Sequence, residues 1–295
     1  MANDKISLNA LIEEAEAAKL SLNAYLLPQS AAELEITGEE LLAKMAQMLK
    51  VMEEAAAYGL TGVRSHSGLT GGSALKLQNA AAQPGFNKLL GALATDAVTY
   101  ALAVSECNAA MGRIVAAPTA GAAGVLPGVL LALKKHCNLT EEQLARALVV
   151  AGQIGLVIAA RASLAGAVGG CQAECGSAAA MAAGAAVDAL GGTPAQAGTA
   201  VSIVFKNMLG LVCDPVAGLV EVPCIKRNGG AAVQALLAAE MALAGIGSFI
   251  PADEAIDAMK WVGDSMPCAL RETAGGGLAQ TPTALAWAKA WFERE

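Results

Sequence analysis

The stretch AGAVGGCQAECGSAAAMAAGAA (165–186) is an alanine-rich helical pattern interrupted by glycines. A chain that gives so long a segment to small side chains must bring backbone close to backbone. The remainder agrees, since hydrophobic residues make up 55% of the 295 positions but aromatics only 3%, with 32 glycines. Such a core is built from Ala, Leu and Val. Helices packed on helices suit it better than a sheet, because strands draw on β-branched and aromatic residues. There is no strand alternation, repeat period or long linker. The expected fold is therefore all-α (mostly α), a single compact domain over 1–295, with N-terminal helices in 1–59 and the core in 60–285.

Helix signals mark the boundaries. Ser7 caps a first helix over about 8–19. Thr37 and Glu40 form a capping box and Gly59 a stop. Between them Leu41, Leu42, Met45, Met48, Leu49 and Met52 make one apolar face. Further helices are expected over about 86–111, after Thr140 and Gln143, after Thr193 with Pro194 and Gln196, near 230–246 and 252–265, and at the C-terminal end. Gly-rich breaks separate them, among them LTGVRSHSGLTGGS (60–73), AAPTAGAAGVLPG (116–128) and RETAGGGLAQTPT (271–283). In a packed helical domain, such breaks are where a site is built.

Charge narrows the function. A net charge of −7 and a pI near 5.0 argue against nucleic acid as a partner. The start MANDKISLNALIEEAEAAKL carries acids where a signal peptide needs a basic end and an apolar core, so a cytoplasmic location is expected. The longest apolar runs, ALVVAGQIGLVIAA (147–160) and AAVQALLAAEMALAGIG, hold Gln153 and Glu240, which argues against a membrane span.

Seven cysteines, at 107, 137, 171, 175, 213, 224 and 268, are an odd number for a disulfide framework. Cys213 and Cys224 close CDPVAGLVEVPC, where prolines pin the backbone, and Cys171 follows two glycines. By spacing alone these are buried free thiols or metal ligands. No C-x2-C run is present, and with two histidines a zinc site is disfavoured. Cys171 and Cys175 share a helical face, yet two thiols complete nothing. SGLTGG (67–72) lacks the ending of a phosphate loop. Its Ser67, Thr70 and backbone N–H groups suit a small carboxylate or a structural turn. His66 and His136 have no relay partner in the sequence. Lys206 is the best Schiff-base lysine, but no strand pattern supports a pyridoxal-phosphate fold.

Taken in order, SGLTGG, NAAMG, AAPTAG, GGCQAECGSAAAMAA, KNMLGLVCDPVAGLVEVPCIKRN and LRETAGGGLAQTP span about 60–285. Together they resemble the α-chain of the iron–sulfur-dependent L-serine dehydratases (L-serine ammonia-lyases). The resemblance implies a [4Fe–4S] cluster held by Cys171, Cys213 and Cys224, with one iron open to substrate and no pyridoxal phosphate. It leaves Cys107, Cys137, Cys175 and Cys268 outside the ligand set. It implies serine deamination, in which a Lewis-acidic iron assists loss of the hydroxyl while a base takes the Cα proton. Ser67, Thr70, Gly71 and Gly72 are expected to grip the substrate carboxylate and Thr119 to line the site; the base is unassigned. A separate regulatory β-chain is implied, and oligomerisation with further copies stays open. The sequence departs from the family pattern at Ala122 and Ala123, where a hydroxyl is frequent, and at Ser73, where an acid is common. Cysteine desulfidation by the same kind of cluster and a non-catalytic iron–sulfur subunit are the alternatives.

Overall fold

The alanine-rich segment becomes the hub of the molecule. The computed structural model describes residues 6–293, and these contain thirteen α-helices. They are α1 (Leu8–Ala17), α2 (Leu22–Glu33), α3 (Gly38–Gly59), α4 (Ser73–Ala82), α5 (Gly91–Ala109), α6 (Val125–Cys137) and α7 (Glu141–Arg161). Then come α8 (Gly166–Gly169), α9 (Ser177–Ala189), α10 (Pro194–Met208), α11 (Cys224–Leu243), α12 (Ala252–Ser265) and α13 (Pro282–Phe292). Helix α9, SAAAMAAGAAVDA, is buried from Ser177 to Asp188. It is ringed by α6, α7, α10 and α11. Small side chains on every face are what allow four neighbours around one helix. An outer layer places α3 and α4 on α5, α2 on α7, and α1 and α12 on α10. The described residues contain no strand, only two isolated bridges, Arg64 to Gly71 and Cys213 to Arg271.

Local signals hold where they are strong. Thr37, Thr140 and Thr193 each close a capping box, with Glu40, Gln143 and Gln196. Thr37→Ala is expected to cost about 1 kcal/mol, read as a Tm about 2–4 °C lower in a thermal melt.

The structure corrects four boundaries. Helix α2 was not anticipated, and it carries Pro28 inside. The helix expected over 86–111 begins at Gly91, and a separate α4 precedes it. Helix α6 starts within the 116–128 break, because Pro127 falls in its first turn, where the missing N–H has no partner to lose. Helix α11 starts at Cys224 rather than near 230. Its Gly229 is used in packing, since a Cβ there would lie 3.1 Å from Val98.

The reading of 147–160 also changes. Helix α7 is 21 residues long and apolar enough to cross a membrane by length and composition, and 67% of that window is buried inside the molecule. Gln153, the interruption, is buried and donates to Ser30 at 2.7 Å.

Candidate functional site

The N-terminal ends of α9 and α11 face one another, and the sequence-predicted cysteines lie there. Cys171 enters α9 through a single π-helical turn, Gln172–Gly176, which packs against α11. Such turns recur at functional sites. Gln172 is fully buried and fixes the turn. Its backbone N–H donates to Leu211 O at 3.0 Å, its amide donates to Met259 O at 2.9 Å, and its Oε1 accepts from Gly210 N at 2.9 Å. Cys213 follows in an extended segment: its N–H donates to Leu270 O at 2.9 Å, and its carbonyl accepts from Glu272 N at 2.7 Å. Cys224 is the first residue of α11. One turn on, the fully buried Asn228 donates to Cys224 O at 2.9 Å and Gly121 O at 2.8 Å. Its Oδ1 accepts from Gly124 N at 2.9 Å. The 116–128 and 271–283 breaks are thus tied to the cysteine segments.

All three thiols are buried and free. Cys171 and Cys224 sit at helix N-terminal ends, where the positive end of the dipole favours a thiolate. The buried Cys175 thiol hydrogen-bonds Cys171 and, with the Arg227 guanidinium, holds the Cys171 thiol below its ordinary range against the cost of burial. Burial, then the charge of Glu174, pushes Cys213 well up. Burial and the neighbouring Cys171 push Cys224 up to about 12. Without a cation Cys213 and Cys224 therefore stay protonated at neutral pH. A metal group would deprotonate them on binding.

Among the described residues no group of three His, Cys, Asp or Glu side chains is placed to hold a single metal ion. The donors themselves, three thiols on three segments, are of the kind that ligate iron–sulfur clusters. Glycine lets the backbone pack closely around the thiols: a Cβ on Gly166 would lie 2.9 Å from Cys213 Sγ, and one on Gly170 would lie 2.8 Å from the Met266 sulfur.

Two charged residues that the sequence reading missed complete the site. Glu174, in the π-helical turn, acts electrostatically on Cys171, Cys175, Cys213 and Cys224. Burial raises its pKa, although Thr119 and the Gly166 N–H pull the other way. Thr119 Oγ1 is buried without a hydrogen bond of normal geometry and faces Glu174. Arg227, one turn into α11, pairs with Asp214 at 2.8 Å and reaches Cys171. Both residues stand three positions from a predicted cysteine, a spacing that one helical turn brings together.

The loop SGLTGG binds a carboxylate, but the carboxylate is the protein's own. Ser67 Oγ donates to Glu221 Oε1 at 2.7 Å and Thr70 Oγ1 to Glu221 Oε2 at 2.6 Å. The Gly72 N–H donates to Val63 O at 3.1 Å. Behind the loop the first N–H groups of α4, on Ser73 and Ala74, donate to the buried Glu106. A cavity of about 240 Å³ opens beside Thr70, Gly71 and Glu221. Arg64, Lys76 and Lys226 line it, and none of the three forms an ion pair among the described residues. Cys224 lies in the same turn as the lining residues Val222, Pro223 and Ile225.

The remaining candidates lie elsewhere. His66 packs edge-on against Trp291 of α13. His136 pairs with Asp96 at 2.6 Å. Lys206 donates to Ser248 at 2.6 Å.

Comparison with known proteins gives one consistent result. The family model described as "Serine dehydratase alpha chain" matches residues 5–279. The "Probable L-serine dehydratase, alpha chain" of Bacillus subtilis is 58% identical over 249 residues, 84% of this chain and 82% of that one. The "L-serine dehydratase, alpha chain" of Peptoniphilus asaccharolyticus is 44% identical over 249 residues, covering 84% of each. An "L-serine dehydratase" of Streptomyces coelicolor is 50% identical over 191 residues, 64% of this chain but only 42% of that longer protein.

Proposed function

Because the chain belongs to the serine dehydratase alpha chain family, we propose that it is the catalytic chain of an L-serine dehydratase, converting L-serine to pyruvate and ammonia. The observation that carries this reading is the set of three buried thiols, on three separate segments, gathered at the facing ends of α9 and α11. Cys171, Cys213 and Cys224 would hold a [4Fe–4S] cluster. When bound, the cluster would supply a Lewis acid for departure of the substrate hydroxyl, at the iron left without a protein ligand. A set of three thiolates also disfavours an electron-transfer cluster, which usually has four protein ligands.

The chain's own residues do the rest. Glu174, biased toward its protonated form by burial, and the Thr119 hydroxyl form the polar wall beside the thiols. Ser67 and Thr70 hold Glu221, and through it the turn that ends in Cys224. The positive charge available to a substrate carboxylate is then that of Arg64, Lys76 and Lys226, at the edge of Gly71 and its loop. Lys76→Ala is expected to raise the KM for serine about tenfold with a smaller change in kcat, because uniform binding is removed. Steady-state kinetics at two salt concentrations check this, the higher salt shrinking the difference.

The word "alpha" in the relatives' names supports a second, β-type chain as partner. Seven free cysteines suit a reducing compartment, and we place the protein in the cytoplasm. The test is pyruvate formation from L-serine and from L-cysteine by anaerobically purified protein, alone and with the β-chain. Serine is the preferred substrate in this account. A higher kcat/KM for cysteine makes the protein a desulfidase instead.

A further inference from the structure

Arg227 ties the Cys213 segment to the Cys224 helix and turns its charge on Cys171. It stands on α11, three residues after Cys224. Its Nη1 donates to Val212 O at 2.7 Å, the residue before Cys213. Its Nη2 pairs at 2.8 Å with Asp214 Oδ1, the residue after Cys213. The charge of the same guanidinium acts on the buried Cys171 sulfur. The arrangement is held from behind, because Asp214 is buried and its Oδ2 accepts from Leu278 N at 2.7 Å. Gly277 makes room for that carboxylate, since a Cβ there would lie 2.4 Å from Asp214 Oδ2. A planar fork of donors suits this arrangement. It can satisfy the carbonyl and the carboxylate at once while its charge faces the sulfur, which an ammonium on a flexible stem cannot do in fixed geometry.

We propose that Arg227 is a positioning residue that gathers the three cysteine segments and sets the reduction potential of the group they hold. The inference rests on the cluster reading above. A buried positive charge facing the sulfur of a cluster ligand would favour the reduced form, whose charge is more negative. The same contacts hold Cys171, Cys213 and Cys224 in place when the cluster is challenged by a chelator.

The experiment compares wild type, R227Q and R227K, purified anaerobically as the full chain. Three readouts are taken: iron and sulfide content, the rate of iron loss to a chelator, and the midpoint potential from a spectroscopic redox titration. R227Q is expected to lose iron about tenfold faster. Its midpoint is expected to fall so that the reduced-to-oxidised ratio at a fixed potential drops about tenfold, which is 59 mV for one electron. R227K keeps the charge but not the fork, so its midpoint stays near that of wild type while its iron loss is accelerated. If R227Q does not fold, R227M, which also removes the charge but keeps an apolar stem, takes its place with the same expected fall in midpoint. An iron-loaded wild type with R227Q unchanged in both rate and midpoint overturns the inference and leaves the cluster reading standing. A wild type that binds no iron overturns the cluster reading, and this inference with it. In the charge-removing variant, a lowered melting temperature with an unmoved midpoint shows a structural arginine only, and also overturns it.

Discussion

Cys213→Ala is expected to yield a folded protein that has lost its iron and turns over serine at least about a thousandfold more slowly. The size follows from what is removed. A Lewis acid contributes several kcal/mol to transition-state stabilisation, and each 1.36 kcal/mol is a factor of ten in rate. The fold survives because Cys213 lies in an extended segment, outside the helices of the hub. Its backbone bonds to Leu270 and Glu272 do not involve the sulfur. Removing a buried thiol costs little beside the helix packing. Cys171→Ala and Cys224→Ala are expected to behave alike, whereas Cys268→Ala, at an exposed position, is expected to keep both iron and activity. Iron content and pyruvate formation on the four variants check the pattern. Normal iron in the Cys213 or Cys224 variant removes that residue from the ligand set.

The second large effect concerns the fold. Helices α3 and α5 cross at Gly59, where an added Cβ would lie 1.9 Å from the Ala103 carbonyl oxygen and 2.7 Å from its Cα. Backbone is what would have to move. Gly59→Ala is therefore expected to destabilise by about 3 kcal/mol, the upper end of overpacking costs, and to lower Tm by about 6–12 °C. Gly152→Ala, in the middle of α7 with no atom within 4 Å of the new methyl, is expected to stabilise by about 0.5–1 kcal/mol. Thermal melts of both variants separate a packing role from mere glycine flexibility. Equal and opposite shifts to those stated contradict the close-packed account.

Particular residues show how far the sequence could be read. The three capping boxes were legible because the rule is local, three residues from donor to acceptor. The alanine-rich hub was legible because small side chains leave helix packing as the remaining way to make a core. Helices α2 and α4 were not, since Pro28 and the glycines before Ser73 are read locally as breakers, whereas tertiary contacts with α7 and α5 decide the matter. Cys171, Cys213 and Cys224 lie 42 and 11 residues apart, and spacing alone left them between free thiols and ligands. Their gathering at two helix ends is a property of the fold. The loop SGLTGG shows the same limit. Its chemistry, an affinity for a carboxylate, was read from residue types, but the partner that satisfies it, Glu221, lies 154 residues beyond Ser67. The reach of Arg227 to Cys171 is likewise long-range, and its position three residues after Cys224 was the only local hint.

The most direct test measures iron and pyruvate in one sample: anaerobically purified protein is divided, one half is stripped with a chelator, and both halves are assayed with L-serine and the β-chain. The account predicts about four irons per chain in the untreated half, with turnover lost on stripping and restored when iron and sulfide are returned. Full serine turnover by the iron-free half contradicts it.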